Sequence, residues 1–387
     1  MTKRNILTYF LFCAVCIFSQ VNVCSQDSSR LRISLLTCTP GDELYSLFGH
    51  SALRVIDSNS VTDIVYNYGT FNFDDDGFYI KFVRGKLLYY ISIEHFENFR
   101  YLYQATGRGI TEQVLDLDSE EKTALRNALN ENLREENRYY KYDFFLDNCT
   151  TRLRDLIVKF KSPTPVLPAV MPEGTRFREA IHGYLNRGKQ YWSKLGIDIL
   201  LGLPTDIVMT PSQQQFLPDN LMNALDRSEN VSLVSSKKEL YNYSAPGSND
   251  AWFTPLVCFL LLAALMVFLS FTSKPWALPV LSGLDGLLFF FTGFIGCVIV
   301  FMWTSTDHAM ARENFNLLWA VPSHLVFSFF ITSKKRWVRF YYAFTLALYT
   351  LLVLSWFFLP QNLNENLLII IGIMMFRCLY RYLSISK

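Results

Sequence analysis

Between residues 31 and 95, several short apolar runs have a strand-like pattern, and in the run 51–56 apolar and polar side chains alternate with a period of two. The runs cover 31–36, 51–56, 64–68 and 86–93. Alternation of this kind predicts β-strands with one buried face, and the Pro, Gly, Asp and Asn residues between the runs predict turns. This part of the chain is therefore expected to form an antiparallel sheet.

A helix is predicted after these strands. Asp118 with Glu121 three residues later has the pattern of a capping box, which predicts a helix that continues to about Arg138. Strands and helix together predict an α+β domain in which helices pack on the sheet. The region 161–250 is interspersed with prolines and short apolar runs, and it is interpreted as a helical linker region at a membrane surface.

Five apolar segments occupy the rest of the chain, at about 252–272, 278–303, 316–333, 340–359 and 365–383. Each is close to the roughly 20 residues that cross the hydrocarbon of a bilayer. From Ala251 onward there are only nine basic and four acidic residues. Residues 251–387 are therefore predicted to be an all-α membrane domain of about five transmembrane helices.

The basic residues of this domain predict its orientation. They cluster after the first segment (Lys274), after the third (334–339) and around the end of the fifth, and such connections face the cytoplasm. The other connections, including the loop with Asp307 and His308, would face the opposite side together with residues 26–250.

The N-terminus has the features of an export signal. Lys3 and Arg4 precede an apolar core at 6–18, and small residues offer a cleavage site after Ser25. A lipid-modified Cys24 and an uncleaved anchor are alternatives. In all three cases residues 26–250 lie outside the inner membrane, so 1–25 is interpreted as a signal peptide.

Charge and cysteine content narrow the functional classes. The net charge is only +2, which argues against a nucleic-acid-binding protein. The exported domain keeps two cysteines, Cys38 and Cys149, and a disulfide between them is the simplest expectation in an oxidising compartment. A free thiol used for chemistry is the alternative. The chain has no metal-ligand spacing and no Gly-rich phosphate loop, so neither a metal nor a cofactor is expected.

Two motifs of the exported domain contain residues that can do chemistry. His50 stands at the head of a strand, and Cys149 follows Asn148 where an apolar pattern with helical spacing begins. Asn148 is a good N-cap, so Cys149 would lie in the first helical turn, where the dipole and free amides lower the pKa of a thiol. A nearby imidazole would complete a Cys–His nucleophile pair.

Each motif alone has a simpler interpretation. A histidine at a strand end is more often a surface or turn residue, and a cysteine that begins an amphipathic helix is more often packed or disulfide-bonded. Together, a sheet histidine followed by a helix-start cysteine are the ingredients of a papain-like core in circularly permuted order. Residues 26–160 are therefore the candidate catalytic domain, of the permuted papain-like α+β class.

Several motifs extend from about residue 30 to the last apolar segment. They are Cys38-Thr-Pro-Gly-Asp, Phe48-Gly-His-Ser-Ala-Leu-Arg-Val, Tyr66-Asn-Tyr-Gly-Thr-Phe, Asp147-Asn-Cys-Thr-Thr-Arg, Phe216-Leu-Pro-Asp, Thr306-Asp-His and Asn316-Leu-Leu-Trp. Through them the chain resembles the Lnb-type bacterial lipoprotein N-acyltransferases, in the lecithin:retinol acyltransferase-like branch of papain-like enzymes.

The resemblance implies transfer of an acyl chain from a membrane phospholipid to the α-amine of a diacylglyceryl-cysteine lipoprotein. Cys149 would be the nucleophile and form a thioester, and His50 would be the base, in a catalytic domain on the periplasmic side of the bacterial inner membrane. The third, orienting group is open between Asn67 and Tyr68. The amide of Cys149 and Asn148 are candidates for the oxyanion hole.

Charged and polar side chains provide the candidates for substrate binding. Arg152 is a candidate for a lipid phosphate, although a solvated helix face is the simpler interpretation. In the loop 304–316, His308 and Arg312 are expected to position a lipid headgroup, with Asp307 orienting His308 and Asn314 nearby; a merely solvated connector is the alternative. For the whole chain, the alternatives are an envelope cysteine hydrolase and a non-catalytic receptor with a Cys38–Cys149 disulfide.

Overall fold

The exported domain is built on one antiparallel sheet. The computed structural model describes residues 29–242 and 252–385, so the predicted signal peptide lies outside the described residues. The strands described are β1 (Leu31–Cys38), β2 (His50–Asp57), β3 (Thr62–Thr70), β4 (Leu88–His95), β5 (Ile110–Leu115), β6 (Tyr139–Lys141) and β7 (Val234–Tyr241). They pair in the order β6-β4-β3-β2-β1-β5-β7.

One end of this sheet brings together residues from distant parts of the sequence. Cys38, the last residue of β1, pairs with His50, the first of β2, and on its other side with Ile110, the first of β5. Thr70, the last residue of β3, pairs with Tyr90 near the start of β4. We call this the His50 end of the sheet. Because neighbouring strands are about 4.8 Å apart, β4 and β5 each begin about 10 Å from His50.

Helices pack on the sheet as the sequence predicts. Those between residues 29 and 170 are α1 (Phe78–Val83), α2 (Phe96–Ala105), α3 (Ser119–Asn132), α4 (Glu135–Arg138) and α5 (Cys149–Phe160). The predicted capping box is present at the start of α3, where the Asp118 carboxylate accepts from the Glu121 amide. Leu153 and Ile157 of α5 pack fully buried against Leu35 and Leu53 of the sheet. The expectation of a sheet-containing domain followed by a helical membrane domain is confirmed.

The region interpreted as a helical linker has helices and also a strand. The helices are α6 (Phe177–Arg187), α7 (Tyr191–Leu200), α8 (Pro211–Gln214) and α9 (Pro218–Asp226), and Leu203–Asp206 form a 3-10 turn. The strand is β7, which extends the sheet beyond β5. Its sequence, Val234-Ser-Ser-Lys-Lys-Glu-Leu-Tyr, is mostly polar and exposed, so it has none of the apolar alternation by which a strand is predicted.

A buried arginine joins this region to the membrane domain. The Arg178 guanidinium forms ion pairs with Asp198 (3.1 Å) and Asp206 (2.9 Å) inside the linker region. Two asparagines of the membrane domain then bond to Asp198: Asn316 donates to its backbone carbonyl (3.0 Å), and Asn364 donates to its carboxylate (2.8 Å). We call these five residues the Arg178 bridge. Because every charge in it is paired and bonded, the bridge fixes one part of the chain against the other.

The membrane domain contains three helices that are long and apolar enough to cross a bilayer, as far as the described residues go: Ala277–Ser305, Arg336–Phe358 and Leu367–Ser384. A shorter apolar helix, Pro255–Phe271, has 17 residues, the lower end of the range for a span. These helices are α10 (Pro255–Phe271), α11 (Ala277–Ser305), α13 (Arg336–Ser355) and α14 (Leu367–Ile385).

The third predicted span, 316–333, is not a single helix. It consists of a 3-10 turn at Phe315–Leu318, the five-residue helix α12 (Ser323–Phe327) and a second 3-10 turn at Ser328–Phe330. Pro322 lacks the amide hydrogen that a continuous helix needs. The broken segment packs tightly on α11, where a Cβ at Gly293 would come within 2.0 Å of the Leu325 amide nitrogen. The close approach of the two backbones therefore requires glycine.

Candidate active site

Cys149 is the first residue of α5, and Asn148 caps this helix. The Asn148 Oδ1 accepts hydrogen bonds from the amides of Thr150 (2.8 Å) and Thr151 (2.9 Å). Its Nδ2 donates to the carbonyl oxygens of Phe144 (2.7 Å) and Phe216 (2.8 Å). Both amide hydrogens of Asn148 are thus used, which corrects the suggestion that its side chain donates to an oxyanion. Its role here is to hold Cys149 at the helix start.

His50 and Cys149 meet at the His50 end of the sheet. The imidazole and the backbone amide of Ser51 lie close enough to the sulfur to stabilise its negative charge. Gly69, with φ of +87°, passes beside them, and a Cβ there would lie 3.6 Å from the Cβ of Cys149. This positive φ favours glycine, and the missing side chain leaves the approach to the thiol open.

The electrostatics of the pair favour a charged thiol. Burial on its own would raise the pKa of Cys149, but the charge of His50 and the hydrogen bonds from His50 and Ser51 outweigh burial and lower the pKa to about 7. Burial on its own would lower the pKa of His50, but the charge of Cys149 and the bonds to Cys149 and Asn67 raise it. Each residue stabilises the ionised form of the other, which is how a thiol becomes a nucleophile near neutral pH.

A chain of hydrogen bonds holds the imidazole. The Nδ2 of Asn67 donates to Glu94 Oε1 (3.0 Å), so the Asn67 Oδ1 is directed at His50 Nε2 (3.1 Å) and accepts its hydrogen. Nδ1 is then the nitrogen left for Cys149. Of the two sequence candidates, Asn67 contacts the imidazole, whereas the hydroxyl of Tyr68 accepts from Asn132 (2.6 Å).

Cys38 is close to the pair but chemically different. Cys38 and Cys149 are both free thiols, so the structure does not contain the disulfide considered for them. Cys38 is completely buried, and burial raises its pKa to about 12 despite the opposing charge of Arg108. A thiol with such a pKa stays protonated at neutral pH and is unreactive.

A largely apolar cavity of about 660 Å³ opens at Cys149. Its walls come from the sheet domain, from the linker region and from the membrane domain. Among the lining residues are His50, Gly69, Phe71, Phe82, Tyr89, Arg108, Phe144, Ile197, Leu200, Leu201, Met302, Asp307, His308 and Met310. The thiol is therefore accessible from a space that has the size and polarity of a ligand pocket and is bordered by the end of α11.

The loop after α11 closes this cavity, but its contacts differ from those expected. Asp307 pairs with Lys141 (3.0 Å) and not with His308. The His308 Nε2 lies 3.2 and 3.1 Å from the carbonyl oxygens of Phe82 and Val83 at the end of α1. The loop thus fastens α1 to the membrane domain, and it lies on the same side as the exported domain, as predicted.

Three other predicted substrate-binding residues do not line the cavity. Arg312 is exposed. Asn314 is buried and donates to the carbonyl oxygens of Ile199 and Leu200 (2.8 and 3.2 Å), so it connects its loop to the C-terminal end of α7. Arg152 forms a bidentate ion pair with Asp147, and its guanidinium lies 3.5 Å from the centroid of the Tyr140 ring. The prediction that these residues bind substrate is therefore not supported by their positions.

Two polar residues at the site were missed from sequence. Glu94 reaches Asn67 from the neighbouring strand, and Arg108 enters the cavity from the segment before β5. No motif marks either of them. Each is brought to the site by strand pairing, so the order of strands in the sheet would have been the only signal.

Comparison with known families agrees with this arrangement. Residues 21–169 match the family model described as the Lnb N-terminal periplasmic domain, and residues 247–387 match the one described as the Lnb transmembrane domain. The chain belongs to the Lnb family. Together the two matches cover roughly three quarters of the chain, in the order in which the sheet domain and the membrane helices occur.

Membership in the Lnb family makes this a membrane protein with a periplasmic domain. His50, Asn67, Glu94 and Cys149 all lie within the part that matches the Lnb periplasmic domain, and the loop containing Asp307 and His308 lies within the Lnb transmembrane domain. The cavity is thus shared between the two Lnb domains. No curated protein and no solved structure matches the chain.

Proposed function

We propose that the chain is a lipoprotein N-acyltransferase that moves an acyl chain from a phospholipid, through a thioester on Cys149, to the α-amine of a diacylglyceryl-cysteine lipoprotein. The observation that carries the proposal is the His50–Cys149 pair, with its lowered thiol pKa, inside an apolar cavity that the end of a transmembrane helix borders. Membership in the Lnb family supports the same activity.

In the first half-reaction, the Cys149 thiolate attacks the ester carbonyl of the phospholipid. A C–S bond forms and the ester C–O bond breaks, and the departing alkoxide takes the proton of the His50 imidazolium, so that a lysophospholipid leaves. The negative charge on the carbonyl oxygen needs hydrogen-bond donors. The backbone amide of Cys149 is suited to this, since the first amides of a helix have no intrahelical acceptor.

In the second half-reaction, the lipoprotein amine attacks the thioester. A C–N bond forms and the C–S bond breaks, His50 accepts the proton lost by the amine, and Cys149 leaves as the thiolate, which restores the starting pair. Both substrates are lipids of the periplasmic leaflet. A cavity bordered by a transmembrane helix suits them, because the acyl chains can stay in apolar surroundings while the ester reaches the thiol.

The proposal is tested by mass spectrometry of a lipoprotein N-terminus from cells with and without this chain. We expect N-acylated lipoprotein only when the chain is present, together with release of lysophospholipid. A lipoprotein with a free α-amine in both strains would refute the proposal. Lysophospholipid and free fatty acid without N-acylation would indicate a phospholipase, in which water replaces the amine as the acceptor.

The hydrogen bond from Asn67 to His50 gives a prediction for the third group. Replacing Asn67 with alanine leaves the imidazole free to rotate and to take the wrong tautomer, and we expect acyl transfer to fall about 10- to 100-fold. Tyr68→Phe is the matched control, because Tyr68 lies on the same strand but its hydroxyl bonds to Asn132. Since this hydroxyl does not orient the imidazole, activity should stay within about threefold. Equal losses in the two variants would contradict the assignment of Asn67.

A further inference from the structure

Arg108 is a cation in the active-site cavity with a donor that has no partner. Its Nε donates to the carbonyl oxygen of Thr39 (2.9 Å), and its guanidinium lies 4.5 Å from the centroid of the Tyr103 ring. Its Nη2 is buried and has no hydrogen-bond partner within residues 29–242 and 252–385. An unsatisfied buried donor on a charged group is costly, so this nitrogen is arranged for an acceptor that arrives with a ligand.

The charge of Arg108 has no counter-ion in the cavity. Among the described lining residues it is the only lysine or arginine, and the two carboxylates are Asp143 and Asp307. Asp143 accepts from the amides of Phe145 (2.9 Å) and Leu146 (3.0 Å), and Asp307 pairs with Lys141 (3.0 Å). Both acids are therefore bonded to other groups, and the cavity has a fixed positive charge at Arg108.

The position of Arg108 in the sheet suggests which part of a substrate it meets. Arg108 stands two residues before β5, at the His50 end of the sheet. On the opposite side of β2 the cavity continues to Gly85, just before β4, where Asp307 of the membrane domain contacts the chain. The thiol lies between a charged end and an end formed by the membrane domain. The two ends are each about two strand spacings, or about 10 Å, from His50.

The groups of a glycerophospholipid follow the same order as the parts of this cavity. Its acyl chains are apolar, its ester carbonyls come next, and its phosphodiester carries a single negative charge a few bonds beyond them. We propose that Arg108 binds the phosphodiester of the acyl-donor lipid and so places the ester carbonyl at Cys149. The inference rests on the proposed function and adds to it the group that selects an anionic phosphodiester donor, since guanidinium nitrogens bind phosphate oxygens with charge-assisted hydrogen bonds.

The role of Arg108 is tested with the full-length protein reconstituted in vesicles of phosphatidylethanolamine and phosphatidylglycerol. The measurement is the rate at which Cys149 is acylated. We expect Arg108→Gln to slow acylation by phospholipid about 10- to 100-fold, mainly as a higher KM, because one charge-assisted contact is lost. Acylation by a neutral p-nitrophenyl ester of a fatty acid, which has no phosphate, should stay within about twofold of the wild-type rate for the same reason. Arg108→Lys should recover part of the phospholipid reaction because it keeps the charge.

Arg100→Gln is the matched control, since it removes an exposed arginine of α2 that pairs with Glu97, and it should react like the wild type with both donors. The inference is overturned if Arg108→Gln is acylated by phospholipid at the wild-type rate. It is also overturned if acylation by phospholipid and acylation by the neutral ester slow by the same factor, because Arg108 would then only support the His50–Cys149 pair. Wild-type protein that phospholipid does not acylate would instead refute the proposed function itself.

Discussion

Replacement of Cys149 by serine is expected to abolish N-acylation of lipoproteins, with a loss on the order of 10⁴-fold or more in the rate of acyl transfer. The lowered pKa of Cys149 makes its thiolate abundant near neutral pH, whereas a serine hydroxyl in the same place stays protonated and is a far weaker nucleophile beside the same imidazole. The measurement is the mass of a lipoprotein N-terminus in cells whose only copy of the gene carries the variant.

Cys258→Ala is the control for Cys149→Ser. Cys258 is also a free cysteine, but it lies in α10, within the membrane domain. We expect full N-acylation from this variant at the same abundance in the membrane. N-acylated lipoprotein in cells that contain only the Cys149→Ser variant would show that the nucleophile lies elsewhere, and the thioester mechanism would then be wrong.

Replacement of His50 by alanine is expected to raise the pKa of the Cys149 thiol from about 7 toward its ordinary value of 9.0. The direction follows from the loss of the positive charge and hydrogen bond of His50, after which burial, which raises the pKa, is opposed only by the Ser51 amide and the Thr150 hydroxyl. The rate of alkylation by iodoacetamide follows the thiolate fraction. The midpoint of the pH dependence of alkylation should therefore move upward by about two pH units.

Acyl transfer by the same variant should fall about 10²- to 10⁴-fold, because general acid–base catalysis is lost together with the thiolate. His95→Ala is the control: His95 is an exposed residue at the end of β4 and caps α2 without a side-chain hydrogen bond. It should leave both the alkylation midpoint and the activity unchanged. An unshifted midpoint in His50→Ala would mean that the helix start alone activates the thiol.

The helix start at Cys149 could be predicted from sequence because the signal is local. Asn148 and the apolar residues after Cys149 lie within one segment, and the capping hydrogen bonds join residues no more than three apart. The same holds for the capping box before α3. Local hydrogen bonding of this kind depends on few residues, so a pattern of residue types is enough to indicate it.

The third group and the charged end of the cavity could not be predicted in the same way. Glu94 is 27 residues from Asn67 in the chain, and its contact depends on the register of β3 with β4. Arg108 reaches the site only because β5 pairs with β1. Conversely, Arg152 was selected for its charge, yet Asp147 neutralises it. The sequence identifies the charged side chains, but only the fold determines which of them form ion pairs.

In the membrane domain too, contacts between distant residues could not be predicted from the sequence. The sequence was sufficient to locate five apolar segments, and Pro322 and His324 interrupt the third of them, but it could not indicate that 316–333 would pack on the glycines of α11. The buried polar contacts of Asn314 and Asn316 with the linker region accompany the 3-10 turn at the start of this segment. These side chains need carbonyl acceptors that a helix surrounded by lipid would not offer.

The Arg178 bridge has a consequence for how the proposed lipid substrates would reach Cys149. Asp198 is bonded both to Arg178 and to Asn364 of the membrane domain, and β7 of the same linker region pairs with β5 of the sheet. The sheet that carries His50 is therefore connected to the membrane domain through the linker region. Cys149 is held at one height, set by the protein rather than by the thickness of the membrane around it. In the proposed acyl transfer, the substrates must then move perpendicular to the membrane, and a lipid ester would react only after it reaches the level of the thiol.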